Sequence, residues 1–387
     1  MSGRAGAVPR IVQIGFFADP GGRGPEELLS AWSTLADVAE SAHSAGLAVT
    51  VLQACARRGQ LERNGVHYRF LPFGVPFTEG AELAGLLREL SPDVLHVHGL
   101  DFHREVAWLA ASFPHVPIIL QDHASRVPPW WRRRAWRRSM ALAAGVAFCS
   151  LAQSDPFVRA GIIAAPTRRY AVPESTSRFS PGDPAAARRL AGIAGDPALL
   201  WVGHLDANKD PLTVLAGVSA AAAELPGLHL YCCFGTAPLR PAVEARIRSD
   251  DTLRGRVTLL GQVAHERVEE LMRAADLFVL GSHREGSGYS LIEALACGLP
   301  PVVTDIPSYR ELTAAGAVGE LWRCGDAAGL AAALRRAAAR RGPSARRAAR
   351  AHFERELSFG ALGGKLAAMY ADVIGISRAR PCAAHGA

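Results

Sequence analysis

The stretch EGSGYSLIEALACGLPPVVT, from Glu285 to Thr304, contains the pattern that decides the fold. It follows a short apolar run, Leu277–Leu280, and passes through a glycine-containing loop into a helical segment that ends near Gly298. A second apolar run, Pro301–Thr304, follows directly. A strand, a helix and another strand in this order predict parallel strands joined by a covering helix.

The same alternation continues over most of the 387 residues, a length that suits two or three domains. Segments such as Glu26–Ala45 and Pro211–Leu225 have apolar residues at helical spacing, between runs of β-rich residues. The fold class predicted is therefore α/β, with doubly wound parallel sheets. The predicted strands are Ile11–Phe17, Ala48–Gln53, Val94–His98, Pro117–Leu120, Val146–Cys149, Leu199–Val202, Leu228–Phe234, Val257–Leu260, Leu277–Leu280 and Pro301–Thr304.

One interruption of this alternation predicts the domain boundaries. A stretch rich in Ser, Pro, Gly and Asp indicates an interdomain linker over residues 176–196. It separates an N-terminal domain, 1–175, from a C-terminal domain, 197–355. A last helical stretch, 356–377, is expected to pack back on the N-terminal domain.

The loop that precedes the predicted helix has the features of an anion site. Gly286 and Gly288 let the backbone approach a ligand closely. The following free amide groups would lie at a helix N-terminus, where the helix dipole favours a diphosphate; they belong to Ser287, Gly288, Tyr289, Ser290 and Leu291. Glu285 and Glu293 suit hydroxyl groups better than phosphate, because carboxylates accept hydrogen bonds. The alternative is a loop charge and a helix-start residue favoured by the dipole.

This block resembles that of the retaining glycosyltransferases of the GT-B fold, the broad family numbered four. The resemblance implies two Rossmann-like, doubly wound domains that face a central cleft. It also implies that Glu285 contacts the donor sugar and is catalytic, and that Glu293 contacts the nucleotide ribose.

Two further segments of the second half resemble the same family. In Leu200–Leu212, which includes Gly203, Lys209 matches a lysine that holds the diphosphate. His204 stands at the place of an arginine, and a neutral imidazole donates one hydrogen bond where arginine offers a fork. Either Lys209 and backbone amides neutralise most of the leaving group, or the diphosphate keeps His204 protonated. Val263 matches the residue whose backbone meets the base.

In the first half, the predicted strand that precedes His123 resembles one whose terminal histidine faces the donor sugar. His123 is therefore predicted to be functional, whereas His98 is predicted to be structural. The segment Val172–Pro181 takes the place of the family's Pro-Asn-Gly-Val-Asp pattern but has a different middle.

The loop Asp19–Gly24 resembles the family's glycine-rich turn, and Gly21 and Gly22 are matched to its acceptor-side residues. This loop lacks the GxGxxG pattern and an acidic residue at the dinucleotide spacing. These absences argue against a dehydrogenase.

The resemblance implies transfer of a sugar, with retention of configuration, from a nucleotide diphosphate sugar to a glycan, lipid-linked or small-molecule acceptor. The sequence contains no Asp-x-Asp triplet, so no metal is predicted, and no cofactor beyond the donor substrate. Three alternatives remain: a protein that binds nucleotide sugars without turnover, an epimerase on the same fold, and a phosphorylase carrying pyridoxal phosphate.

The net charge of +7 and a pI near 9.3 suit anionic partners. The Arg/Ala run at 333–350 is predicted to be a solvated helix, and nucleic acid is not expected as a partner. The segment Pro128–Arg138 alternates tryptophan and arginine, which suits either an anionic membrane or cation–π packing within an amphipathic helix. The seven cysteines show no CxxC spacing, and no apolar run reaches about 18 residues. A cytoplasmic protein is expected, either free or peripheral at the inner face of the membrane.

Overall fold

The structure is a computed structural model that describes residues 8–72 and 80–379. Residues Ser177–Ser358 form one compact unit, and the described residues on either side of that segment form the other. We call the latter the first unit and Ser177–Ser358 the second unit. Among the described residues, every helix falls short of the length or apolar content that crossing a bilayer requires.

Strands and helices alternate in both units. The strands are β1 (Arg10–Gly15), β2 (Ala48–Ala54), β3 (Gly59–Arg63), β4 (Val66–Leu71), β5 (Val94–His98), β6 (Ile118–Gln121), β7 (Gly145–Phe148), β8 (Arg168–Ala171), β9 (Ala198–Val202), β10 (His229–Cys233), β11 (Val257–Gly261), β12 (Leu277–Leu280), β13 (Pro301–Thr304) and β14 (Glu320–Trp322).

The helices cover the sheets and connect their strands. They are α1 (Pro25–Ala31), α2 (Ser33–Ser44), α3 (Gly80–Leu90), α4 (His103–Ser112), α5 (Arg133–Leu142), α6 (Leu151–Arg159), α7 (Pro184–Ala191), α8 (Pro211–Ala222), α9 (Arg240–Ser249), α10 (His265–Ala274), α11 (Tyr289–Ala296), α12 (Pro307–Leu312), α13 (Ala327–Arg340), α14 (Pro343–Glu356) and α15 (Phe359–Ala379).

The first unit has an eight-stranded sheet in the order β3-β4-β2-β1-β5-β6-β7-β8. Only the edge strand β3 runs antiparallel to its neighbour; the other paired strands are parallel. Ile11 and Val12 point to opposite faces of β1 and belong to separate hydrophobic clusters, one on each side of the sheet. The C-terminal helix α15 packs against α2 on one of these sides and so belongs to the first unit.

The second unit has a six-stranded, fully parallel sheet in the order β11-β10-β9-β12-β13-β14. The strand order reverses between β9 and β12, which are neighbours in the sheet. Loops that leave the carboxyl ends of two such strands diverge and form a crevice, where ligands bind in open α/β sheets. The two doubly wound parallel sheets confirm the predicted fold class.

All the predicted strands are present, and the sequence analysis missed β3, β4, β8 and β14. Three of these are edge strands: β3 and β14 end their sheets, and β8 closes the other side of the first sheet. Edge strands face water along one side and therefore carry charged residues, as β3 and β8 do. Their composition hides them from a search for apolar runs.

The structure corrects the predicted linker over residues 176–196. This segment contains α7, whose first turn is capped by the Asp183 carboxylate accepting from the Ala185 N–H at 3.0 Å. Helix α7 packs against α10, so most of the segment belongs to the second unit. The second unit accordingly extends beyond the predicted range 197–355.

Two predicted helices also differ. The segment Glu26–Ala45 is divided into α1 and α2 at Trp32. The Arg/Ala run at 333–350 is not one solvated helix, because the chain breaks at Gly342, with φ of 135°, between α13 and α14. Leu334 on α13 is fully buried, and Arg336 pairs with Glu320 of β14. The run therefore contributes to the core of the second unit.

Candidate active site

Two loops at the crevice of the second sheet are fastened to each other. The His283 N–H, after β12, donates to the Asn208 carbonyl, after β9, at 2.8 Å. The Asn208 side-chain amide returns a bond of 2.9 Å to the Arg284 carbonyl. His283 Nε2 also lies 3.1 Å from the Asp210 carboxylate. The loops after β9 and β12 thus form one frame.

Lys209 and Glu285 meet across this frame. The Lys209 backbone N–H donates to Asp206 Oδ1 at 2.9 Å, which fixes the start of the side chain. The stem of Lys209 then passes over Gly203, where an added Cβ would lie 3.6 Å from Lys209 Cδ. The ammonium contacts Glu285 Oε1, and the two side chains are only 14% and 13% exposed. The structure therefore brings the predicted phosphate and sugar residues together as a largely buried ion pair.

Tyr309 of α12 is hydrogen-bonded to Glu285 of this pair. The sequence analysis did not identify Tyr309. Its side chain is fully buried, and its hydroxyl donates to Ser282 Oγ at 3.2 Å. Burial and the charge of Glu285 raise the pKa of Tyr309 well above its ordinary value, so the phenol stays neutral. Gly288 has φ of 62°, and an added Cβ would lie 2.5 Å from Tyr309 Cε1. Only glycine fits at this turn.

Helix α11 begins directly after Gly288, as the sequence predicted. The Leu291 N–H donates to the Gly288 carbonyl at 2.9 Å, and the Ile292 N–H reaches the same oxygen at 3.2 Å. The prediction that the Leu291 amide is free for an anion is therefore wrong, because the first turn tightens around Gly288. The amides of Tyr289 and Ser290 precede these bonds and point toward the N-terminal end of the helix. Ser287, in the loop with Gly286, is buried.

Glu293 lies in the second turn of α11 and is only 3% exposed. It contacts Nε2 of His265, the first residue of α10. Burial raises the pKa of Glu293 against the opposing effect of His265, and the hydrogen bond to Glu293 raises the pKa of His265. The His265 ring also packs against Phe179, with centroids 4.6 Å apart. His265 was not predicted, since nothing in its local sequence marks it as a partner.

Val263 and His204 lie in the loops that follow β11 and β9, the strands on either side of β10. Val263 is half-buried in the turn between β11 and α10. His204 is exposed, and its Nδ1 accepts a hydrogen bond from the Thr236 N–H at 3.3 Å. A ring nitrogen that accepts a hydrogen bond carries no proton, which leaves Nε2 as the one donor of His204. This arrangement favours Lys209 and backbone amides as the main groups for a diphosphate.

In the first unit, His123 follows β6 and is exposed. Its Nδ1 contacts the carboxylate of Glu174, which lies in the segment that departs from the family pattern. Desolvation opposes a charge on the ring, but Glu174 and the adjacent Asp122 outweigh it, so the pKa of His123 is raised. Glu174 was not predicted as a partner, because its role depends on a contact between distant segments.

A chain of hydrogen bonds leads from His123 into the core of the first unit. His123 Nε2 lies 3.2 Å from His98 Nδ1, and His98 Nε2 lies 3.4 Å from Gln13 Oε1. Gln13 donates to the Tyr370 hydroxyl of α15 at 3.3 Å, and Tyr370 lies 2.8 Å from His96 Nδ1. With Gln13 donating in this direction, His98 accepts from His123, which then donates from both ring nitrogens. His98 thus connects His123 to the core and is more than a packing residue.

Burial keeps the inner histidines of this chain neutral. It lowers the pKa of His96 to about 3 and, with help from His96 and His123, the pKa of His98 well below its ordinary value. The positive charge of the chain is therefore concentrated on His123, beside Glu174.

The loop that holds Gly21 and Gly22 follows β1 and is closed by its own side chains. The Gly22 N–H donates to the Asp19 carbonyl at 3.1 Å, with φ of 63° at Gly22. Arg23 donates to both carboxylate oxygens of Asp19, at 2.9 and 3.0 Å, and holds the pKa of Asp19 at about 2. Both glycines are exposed at the carboxyl end of the central strand.

The described residues contain no group of three histidine, cysteine, aspartate or glutamate side chains arranged to hold a metal ion. The cysteines of this part of the chain are all free thiols, and most are buried. Independence from metal remains a prediction about the reaction.

Family models match both halves of the chain. The model for glycosyltransferase family 4 matches residues 31–192, and the model for glycosyl transferases group 1 matches residues 196–340.

Curated relatives match parts of the chain. The D-inositol 3-phosphate glycosyltransferase of Geodermatophilus obscurus is 35% identical over 186 residues, which are 46% of this chain and 41% of that protein. The GDP-mannose:cellobiosyl-diphosphopolyprenol alpha-mannosyltransferase of Xanthomonas campestris is 26% identical over 233 residues, which are 57% of this chain and 58% of that protein. The chain thus spans about half the length of these curated relatives.

The fold has matches among solved structures. HepE of Anabaena, solved in complex with UDP, is 18% identical with a TM-score of 0.69, and the match covers 94% of this chain and 100% of that one. At this identity the likeness concerns the fold, which is the GT-B architecture that the sequence analysis expected. With a family model matched in each half, the chain belongs to the family 4 glycosyltransferases of the GT-B fold.

Proposed function

We propose that this protein is a retaining glycosyltransferase that takes its sugar from a nucleotide diphosphate donor and needs no metal ion. The observation that carries the proposal is the pairing of Lys209 with Glu285 beside the N-terminus of α11, at the crevice of the second sheet. The GDP-mannose in the name of the Xanthomonas relative and the UDP bound to HepE support a nucleotide sugar as donor.

Each group of this site has a proposed task. Lys209 and the Tyr289 and Ser290 amides of α11 hold the diphosphate, since they offer one ammonium and the N–H dipoles at the start of the helix. Glu285 accepts hydrogen bonds from the sugar hydroxyls, and Glu293 from the ribose. Val263 meets the base through its backbone. His204 contributes a single hydrogen bond from Nε2.

The reaction breaks the bond between the anomeric carbon and the diphosphate oxygen and forms one from that carbon to the acceptor oxygen. Negative charge grows on the departing phosphate, and preorganised donors stabilise it most effectively. Lys209 and the α11 amides serve this purpose. The acceptor attacks from the face that the diphosphate leaves, and its proton passes to the departing phosphate oxygen.

His123 is proposed to contact the donor sugar from the first unit. Both of its ring nitrogens already donate, to Glu174 and to His98. A sugar hydroxyl would replace His98 at Nε2, while Glu174 keeps hold of Nδ1. Glu174 would therefore fix the orientation of the His123 ring while Nε2 contacts the sugar.

A lipid-linked acceptor at the inner face of an anionic membrane fits the surface of α5 and the turn before it. Trp130 and Trp131 are 76% and 65% exposed, whereas Trp136 is buried and anchors the helix. Exposed arginines accompany them at Arg132, Arg134, Arg137 and Arg138. Outward tryptophans beside cations suit a lipid interface, and the Xanthomonas relative is named for a diphosphopolyprenol acceptor.

Co-sedimentation with vesicles tests this membrane contact. Binding to phosphatidylglycerol vesicles should fall in the variant Trp130→Ala/Trp131→Ala. Equal binding of the wild type to phosphatidylcholine vesicles would contradict the proposed role of charge.

Incubation with UDP- and GDP-sugars tests the activity. Release of nucleotide diphosphate that depends on an acceptor, a product with the donor's anomeric configuration by NMR, and unchanged rates in EDTA are expected. An epimerase would give an isomerised donor without a glycoside, and a binding protein would hold the donor without release. A phosphorylase would show the absorbance of pyridoxal phosphate. Any of these three results would contradict the proposal.

A further inference from the structure

Lys209 and Glu285 neutralise each other in the ligand-free protein, at the place where the donor is proposed to bind. Their side chains are 14% and 13% exposed, so little water is available to replace either partner. The neighbouring Tyr309 is hydrogen-bonded to Glu285, but its hydroxyl is neutral and supplies no counter-charge. A ligand that draws Lys209 away from Glu285 must therefore replace the hydrogen bond and the counter-charge that the ammonium gives to Oε1.

A nucleotide sugar and a nucleotide diphosphate differ in whether they provide that partner. Both offer phosphate oxygens to Lys209, but only the sugar brings hydroxyl groups that can donate to Glu285. Building on the donor site proposed above, we propose that the Lys209–Glu285 pair selects nucleotide sugar over the nucleotide diphosphate that remains after transfer. Once the sugar has left, the pair re-forms and promotes release of the product.

The frame around the pair strengthens this selection. Asn208 is bonded both to the His283 N–H and to the Arg284 carbonyl, so the residue next to Lys209 is fixed to the residues that precede Glu285. On the other side of the loop, Gly288 is packed tightly against the ring of Tyr309. Glu285 therefore cannot swing away easily from a diphosphate that has taken its partner. A carboxylate held beside phosphate repels it, which lowers the affinity for the product.

Calorimetric binding of UDP, UDP-glucose, GDP and GDP-mannose to the wild type and to Glu285→Gln tests the selection. Glutamine keeps the size of the side chain, removes the charge and releases Lys209. We expect the variant to bind the cognate nucleotide diphosphate roughly tenfold more tightly, the scale of one charge-assisted hydrogen bond. Its affinity for the nucleotide sugar should not rise, so the preference for the sugar shrinks or reverses.

Two further variants separate this effect from a general change of charge or stability. Glu311→Gln removes an exposed carboxylate from α12 and should leave the affinities for both ligands unchanged. Lys209→Met combined with Glu285→Gln should abolish the gain in diphosphate affinity, since the gain comes from the released ammonium. If Glu285→Gln does not fold, Glu285→Asp withdraws the carboxylate from Lys209 and should strengthen diphosphate binding by a smaller factor.

The outcomes distinguish the selection from the donor site on which it depends. Unchanged or weaker diphosphate binding by the Glu285 variants, while the wild type binds both ligands, would overturn the selection and leave the donor site intact. A wild-type protein that binds none of the four ligands would overturn the donor site itself, and the selection with it.

Discussion

Both units place a carboxylate against a basic side chain at the carboxyl edge of a parallel sheet, but they hold the pair differently. In the second unit, Lys209 and Glu285 come from two loops that are bonded to each other, and the buried hydroxyl groups of Tyr309 and Ser282 lie behind Glu285. In the first unit, His123 meets Glu174 on one side and a buried chain through His98 on the other.

The difference teaches where each pair can yield to a ligand. Lys209 can exchange Glu285 for a phosphate because the two side chains come from separate loops and form an ion pair that is not completely buried. His123 can exchange only His98, since Glu174 is needed to keep its charge. We therefore expect the Lys209–Glu285 pair to yield to an anionic ligand more readily than the His123–Glu174 pair.

Loss of Lys209 should have the largest effect. Lys209→Ala removes the ammonium that faces the departing phosphate, so turnover should fall by roughly 10²–10³-fold, as for loss of one preorganised donor. The KM for donor should change much less, because the charge is needed most in the transition state. Steady-state kinetics measure both quantities. Lys365→Ala on α15 removes the same charge from the first unit and serves as control; intact turnover in Lys209→Ala would contradict the assignment.

Glu293→Ala should weaken nucleotide binding by about tenfold, the scale of one charge-assisted hydrogen bond. The change removes the proposed ribose acceptor and leaves His265 without its carboxylate partner. Calorimetry with the cognate nucleotide diphosphate measures the loss. Glu269→Ala, a carboxylate on α10 that pairs with Arg273, is the matched control. An unchanged affinity in Glu293→Ala would contradict the proposal that Glu293 binds the ribose.

Gly288→Ala tests whether the loop after β12 must keep its exact shape for the second unit to bind its ligand. The positive φ of 62° and the approach to Tyr309 should lower the free energy of unfolding by about 1–2 kcal/mol or more. Donor binding should weaken as the start of α11 shifts. Urea unfolding gives the stability. Gly85→Ala on α3, where an added Cβ meets nothing within 4 Å, should be neutral or stabilising; equal effects at the two glycines would contradict the account.

The smallest effect is expected in the first unit. Glu174→Gln removes the carboxylate that raises the pKa of His123, so this pKa should fall when it is measured by NMR titration. His96, His98 and Asp122 also face the ring and are unchanged in the variant. Glu62→Gln, whose carboxylate lies 3.5 Å from His67, should leave the His123 titration as it is.

The same variant predicts a pH dependence of stability. Because the folded-state pKa of His123 is raised, its pair with Glu174 stabilises the fold fully below the unfolded value of about 6.5. The contribution is lost as the pH rises through the folded-state pKa. The difference in unfolding free energy between wild type and Glu174→Gln should therefore be larger at pH 6 than at pH 9. The opposite trend would mean that His123 is neutral beside Glu174.

The sequence predicted the central strands because buried parallel strands are apolar on both faces. It missed edge strands such as β8, which begins with two adjacent arginines, Arg168 and Arg169. It correctly predicted a helix, α11, after the loop that contains Gly286 and Gly288. It did not predict the break between α1 and α2 at Trp32 or the helix α7 within the linker, because both depend on packing between distant segments.

The site was predicted where a local motif marks it and missed where a distant partner completes it. Lys209 and Glu285 were both identified, although they are 76 positions apart, because each lies in its own motif. Tyr309, His265 and Glu174 act only through contacts that the fold creates. The Leu291 amide was predicted to be free because spacing alone does not show how tightly the first turn of a helix closes.

A crystal structure of the protein soaked with its nucleotide sugar tests the central claim most directly. The account predicts the diphosphate at the crevice of the second sheet, within hydrogen-bond distance of Lys209 Nζ and the first-turn amides of α11, with Glu285 on the sugar. A ligand bound elsewhere, or a Lys209 that still contacts Glu285 beside a bound diphosphate, would contradict it.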